Sequence, residues 1–124
     1  MISANELLDA ADQADDPGQS WTRFNLAMTA ELQRFADSLP PWAIAHLQTA
    51  DAYWRGDDSR REALLDARLA AWNFLETKNR SSVTIVDNED RLIRALICVL
   101  FADDDGDHDM TAEFFADMIN GVVL

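Results

Sequence analysis

Apolar side chains recur at spacings of three and four along most of this chain, and the polar breaks between them are short. Ser3-Ala4-Asn5-Glu6 reads as a capping box, with Ser3 capping and Glu6 reaching back. The spacing then predicts a short helix to about Ala14, with Leu7, Leu8 and Ala11 on one face. Asp15-Asp16-Pro17-Gly18 breaks it. A second helix starts at Ser20 or Thr22 and carries the stripe Trp21, Phe24, Met28, Leu32, Phe35, Leu39. Pro40-Pro41 stops that helix and opens a third, because proline is tolerated only in a helix's first turn. Trp42, Ile44, Ala45, Leu47, Ala50 and Trp54 populate the third helix, and Gly56 is its expected cap. Ser59-Arg60-Arg61-Glu62 reads as a second capping box. It opens a fourth helix with Leu64, Leu65, Ala67, Leu69, Ala71, Trp72 and Leu75, ending at the polar break 79–82.

Val83-Thr84-Ile85-Val86 has strand-like composition but stands alone, so it reads as an extended connector or an early helical turn. Asp87 or Asn88 caps a fifth helix that is apolar nearly all round from Leu92 to Ala102, which places it at the centre of a bundle. Residues 103–109 form a loop, and Thr111 to Asn120 a sixth helix ended by Gly121. The pattern therefore predicts an all-α fold: a compact bundle of about six helices in a single domain, 1–124.

Charge adds what periodicity does not show. The net charge is −13, yet the ten Lys and Arg all lie between Arg23 and Arg94, opposed there by eleven acids. The other twelve acids sit at the ends: Glu6, Asp9, Asp12, Asp15 and Asp16 in the first 22 residues, and Asp103, Asp104, Asp105, Asp107, Asp109, Glu113 and Asp117 in the last 30. Acidity alone is often only a solubility device, but solubility does not require bases to be absent from both ends. Such a surface repels phosphate backbones and anionic lipid heads, so neither nucleic acid nor membrane is the expected partner. A protein partner with a basic surface is. The two acidic ends either share one face, with the first and last helices side by side, or lie on opposite sides.

No apolar run reaches the roughly 18 residues of a membrane span. Glu6 and Asp9 stand where a signal peptide needs bases, and the single Cys excludes an internal disulfide. The expected location is cytoplasmic. The tail Val122-Val123-Leu124 either packs on the core or mediates a homodimer.

A calcium loop needs oxygens at positions 1, 3 and 5, Gly at 6 and Glu at 12. With Gly106 at position 6, positions 1 and 12 are Phe101 and Ala112; with Asp103 at position 1, positions 6 and 12 are His108 and Phe114. Neither register works, so the tract reads as a solvated loop that also caps the last helix. His108-Asp109 lacks the further histidines of a hydrolytic metal centre, and His46 reads as a partly buried, hydrogen-bonded residue. Cys98 has no nearby base and reads as core. Arg55-Gly56-Asp57 is a helix–turn junction, and Glu62 and Asp66 share a helix face where their neighbours Arg61 and Arg68 suggest ordinary surface pairing. No catalytic residue, metal site or cofactor is expected, and the protein reads as a non-enzyme. Trp21, Trp42 and Trp72 lie on apolar stripes and are expected in the core. Adjacent helix positions point about 100° apart, so Tyr53 and Trp54 cannot both face inward. One of them, beside Asp57 and Asp58, is a candidate anchor for a partner. The candidate partner-binding set is thus Tyr53, Trp54, Asp57, Asp58, Asp103, Asp104, Asp105, Asp107, Asp109 and Glu113.

Ala52-Tyr53-Trp54-Arg55-Gly56-Asp57, followed by Leu64-Leu65-Asp66-Ala67-Arg68-Leu69-Ala70-Ala71-Trp72, resembles bacterial immunity proteins, the small helical products encoded beside polymorphic or type VI secretion toxins. Arg94-Ala95-Leu96-Ile97-Cys98-Val99-Leu100-Phe101 belongs to the same pattern, which covers about a third of the chain. These are scaffold motifs and carry over no binding residue. The resemblance implies an inhibitor that neutralises a cognate toxin by tight binding. A chaperone or adaptor of a secretion system, holding a partner helix in an apolar groove, is the alternative expectation. A small metal-dependent hydrolase ranks third.

Overall fold

A helix that buries its whole circumference must be surrounded, and residues 92–100 are. In the computed structural model every side chain from Leu92 to Leu100 is buried. The structure describes residues 2–13, 16–80, 84–104 and 107–123, except the side chain of Pro17. Among them are six α-helices and no strand: α1 (Ala4–Asp12), α2 (Ser20–Gln33), α3 (Pro41–Trp54), α4 (Arg61–Thr77), α5 (Asn88–Cys98) and α6 (His108–Asn120). The protein is an all-α bundle. α5 runs through its centre and packs against α2, α3, α4 and α6, while α1 lies between α2 and α6. The first and last helices are thus side by side, the first of the two arrangements the charge pattern allowed. Phe24, Met28, Leu32, Leu64, Leu75, Leu92, Leu96 and Phe115 fill the core, each large side chain stabilising by roughly 1.5–3 kcal/mol.

Local chemistry sets the boundaries. Ser3 Oγ accepts from the Glu6 amide at 3.2 Å and faces the Glu6 carboxylate at 3.3 Å, so α1 starts as expected. Two helices end in Schellman motifs. At α3 the Asp57 amide donates to the Ala52 carbonyl and Gly56 to Tyr53, with Gly56 at φ +118. At α4 the Arg80 amide donates to Leu75 and Asn79 to Glu76, Asn79 taking φ 59. The capping box expected at Ser59 does not form. The Schellman turn presents Asp57 to the next turn, where its carboxylate accepts from the Ser59 amide (3.2 Å) and hydroxyl. This caps a single 3₁₀ turn, Asp58–Arg60, and α4 begins only at Arg61. α6 begins three residues earlier than the pattern implied, because Asp107 accepts from the Met110 amide at 3.1 Å. Residues 84–86 are non-helical and connect α4 to α5, with Ile85 packed on the core.

Three buried polar features were not anticipated. Asn25 and Thr29 fold back onto α2, donating to the Trp21 and Asn25 carbonyls at 2.9 and 2.7 Å. Asp90 is fully buried and receives Arg80 Nε (2.8 Å), Lys78 Nζ (3.0 Å) and the Val86 amide (2.8 Å), while closing a capping box with Asp87. Burial opposes its ionisation, but these donors outweigh burial and hold the carboxyl well below the usual carboxylate range. Arg94, also buried, donates to the Thr84 carbonyl at 2.8 Å and lies over the Trp72 ring; burial lowers its pKa.

The chain ends are tied down. Asn120 accepts from the Ile2 amide at 3.0 Å and donates to the Ile2 carbonyl at 2.7 Å. Val123 makes the same reciprocal pair with Asn88, and Val122 packs on the core. Of the tail, Val122 therefore follows the packing expectation, and Leu124 lies outside the described residues.

Candidate functional site

The segment after α5 carries the acidic loop, and two tryptophans hold it. The carbonyls of Val99 and Phe101 lie beyond the helix's own hydrogen bonding. Trp54 Nε1 donates to the first at 2.8 Å and Trp21 Nε1 to the second at 3.1 Å. The two indoles meet edge to face at 6.5 Å. Trp54 is only 4% exposed. This corrects its candidacy as a partner anchor: a buried indole that braces the backbone has no surface left to offer. Tyr53 is the half-exposed member of the pair, stacked on Trp54 at 4.9 Å.

Four of the candidate residues on either side of this brace meet: Tyr53, Asp58, Asp103 and Asp104. Tyr53, Gly56, Asp58, Asp103 and Asp104 line one polar depression of about 570 Å³, closed at its back by Trp21 and Trp54. Arg61 joins the two halves, with Nη1 3.3 Å from the Tyr53 hydroxyl and Nη2 2.5 Å from Asp103. Hydrogen bonding to Asp103 raises the Arg61 pKa. Asp57 stands at the margin, its pKa lowered first by the Ser59 hydroxyl. Asp107 is committed to the α6 cap. Asp109, Glu113 and Asp117 do not line the depression; they are exposed at successive turns of α6. Asp105 and Gly106 lie outside the described residues.

His108 stacks on Trp21 at 5.3 Å and pairs with Asp104 at 2.8 Å, which ties the loop to the core. His46 packs edge-on to Trp42, and burial lowers its pKa. Cys98 is buried, and burial pushes its thiol up to about 12. Among the described residues no group of three or more His, Cys, Asp or Glu converges on a common ion position.

On the other side of the Phe101–Ala102–Asp103 segment lies an apolar cleft of about 310 Å³. α5 forms its floor with Ile97 and Cys98, Trp72 one wall, and Met110 and Phe114 the other, with Phe101 at the end. Arg68 lies over the Phe101 ring at 4.2 Å. Trp72 is half-buried, not core as its stripe implied, and so is Trp42; Leu69 and Leu65 stand exposed one and two turns before Trp72. Sequence reasoning missed this cleft because the apolar residues of α4 read as one core population. The signal was present: Leu64, Ala67, Ala71 and Leu75 already fill a core-facing stripe, which leaves Leu65, Leu69 and Trp72 to another side.

Comparison with models of known protein families finds no match, and comparisons with curated proteins and with solved structures find none either. No helix among the described residues is long and apolar enough to cross a membrane.

Proposed function

We propose that this chain is a non-enzymatic, protein-binding inhibitor of the immunity-protein kind, which neutralises a basic partner by covering it with an acidic surface. The observation that carries this reading is the meeting of Tyr53, Asp58, Asp103 and Asp104 in one depression, from segments 45 or more residues apart in sequence. The depression rests on the Trp21–Trp54 brace, and Arg61 and His108 position the Asp103 and Asp104 carboxylates. Preorganised charge of this kind steers association, raising on-rates by ~10–10³-fold at low salt. A half-exposed tyrosine supplies an aromatic contact. The scaffold resemblance to immunity proteins and the expected cytoplasmic location support the reading.

Affinity capture from producing cells at low and high salt tests the proposal. The expected result is a basic protein retained by the wild-type chain at low salt. Exchange of Asp103, Asp104, Asp105 and Asp107 for Asn should weaken that retention at least tenfold. The captured protein should arrest growth when expressed alone and be neutralised by co-expression of this chain. Recovery of no basic partner at either salt overturns the reading.

A secretion chaperone or adaptor that holds a partner helix is the second reading, favoured by the apolar cleft. The same four Asp→Asn exchanges leave such binding largely intact, which separates the two.

A further inference from the structure

We infer that the cleft between α4 and α6 seats an amphipathic helix of the partner, its apolar side against α5 and its basic edge along α6. The inference rests on the reading of the chain as a protein-binding module and adds the form of the segment it takes.

The cleft floor is the Ile97–Cys98 surface of the central helix, lying between two walls that each pack on α5. Its lining is apolar apart from Arg94 and Thr111, and Leu65, Leu69, Phe101, Met110 and Phe114 extend it at the surface. Exposed apolar residues grouped around a concave floor mark an interaction site, whereas scattered ones do not. A volume near 310 Å³ accepts a few side chains rather than a whole element. That suits a helix lying across the opening and inserting anchors from successive turns. No strand edge exists among the described residues to pair with an extended segment.

Charge selects the occupant. Asp109, Glu113 and Asp117 repeat every four residues on α6, beside Met110 and Phe114. α4 carries mixed charge instead: Arg61 and Arg68 are engaged by Asp103 and by the Phe101 ring, and Glu62 stands beside them. A helix with Lys or Arg along the edge that meets α6 matches the acidic rim. The α6 stripe thereby orients the helix in the cleft.

A synthetic peptide of about 14 residues, four helical turns, tests this. It carries Leu at helical spacing and Lys along one edge, and is titrated into isotope-labelled protein beside a Lys→Glu version and a scrambled version. The expected result is that the Lys peptide binds and shifts amides around Leu69, Trp72, Phe101, Met110 and Phe114. The Glu version should bind about tenfold more weakly at low salt, the gap closing as salt rises. Met110→Ser should weaken the Lys peptide by about tenfold without unfolding the chain, because Met110 is 67% exposed. Equal binding of the scrambled peptide, or shifts confined to other surfaces, overturns the inference. So do the same amides shifting when the protein alone is concentrated, which would make a second copy the occupant. Neutralisation of a captured partner without peptide binding sinks the helix and leaves the inhibitor standing. Peptide binding without any captured basic partner does the reverse.

Discussion

Trp54 Nε1 donates to the Val99 carbonyl across 2.8 Å, joining the last residue of α3 to the first residue beyond α5. Both groups are buried, so each is the other's answer to desolvation. Trp54→Phe keeps an aromatic ring but strands the carbonyl, and should cost about 2 kcal/mol in chemical denaturation. Because Val99 leads directly into the acidic loop, amide exchange at residues 100–104 should accelerate as well. Unchanged exchange there would show that Trp21 alone holds the loop.

Asp90→Asn should cost about 3 kcal/mol at neutral pH, since it leaves Lys78 and Arg80 facing a neutral amide at a buried site. The sign with pH follows from the depressed pKa of Asp90. Its contribution is fully present above the unfolded value near 4 and is lost as pH falls toward the folded one. The stability gap between wild type and variant should therefore be flat from about pH 8 to 5 and narrow below about pH 4. A gap that widens on acidification would contradict the ion cluster.

Gly56→Ala meets no steric neighbour, since a Cβ there has nothing within 4 Å. The penalty comes from φ +118 alone and should be about 1–2 kcal/mol, read from the thermal midpoint. Asn, which replaces Gly well nearer φ +57, should not rescue it.

The Cys98 thiol, pushed up to about 12 and facing the cleft floor, should resist an aromatic disulfide reagent at pH 8 until the chain unfolds. Stoichiometric labelling of the folded protein within minutes would contradict its burial.

Asn120→Ala removes both hydrogen bonds to Ile2 and should cost about 1–2 kcal/mol. The loss should concentrate in faster amide exchange across α1, while α5 stays protected.

The helices were legible in the chain because each apolar stripe is unambiguous and each break contains Gly, Pro or a capping side chain. The central place of α5 followed from Leu92–Leu100 lacking any polar face except Arg94. Three residue types escaped. Asp90 and Arg94 are charged, and nothing local shows that Lys78, Arg80 and the Thr84 carbonyl fold over them. Trp42 and Trp72, read as core from their stripes, are half-buried, and the spacing left open which of Tyr53 and Trp54 turns inward: orientation depends on which neighbour supplies a carbonyl or a gap, and that is set by packing. Of the candidate site, the meeting of residues 53–58 with 103–104 is a tertiary fact that spacing cannot encode, although both halves were recognisable as acidic and aromatic. Ser59 failed as a cap because Asp57, two residues earlier, takes the Ser59 amide and hydroxyl as its own donors and caps a 3₁₀ turn there.

The hydrogen-bonded pairing of Ile2 with Asn120 sets α1 against α6, and with them Glu6, Asp9 and Asp12 on a helix next to that of Asp109, Glu113 and Asp117. In the unfolded chain these two groups are a hundred residues apart along a flexible coil and barely sense each other. Folding compresses them, so the native state holds an internal repulsion that only counter-charge can discharge. Salt, a polyamine or a basic protein surface discharges it in the folded form alone, and each should raise the melting temperature. The fold thus builds a like-charge repulsion between its first and last helices that any positive counter-charge would relieve.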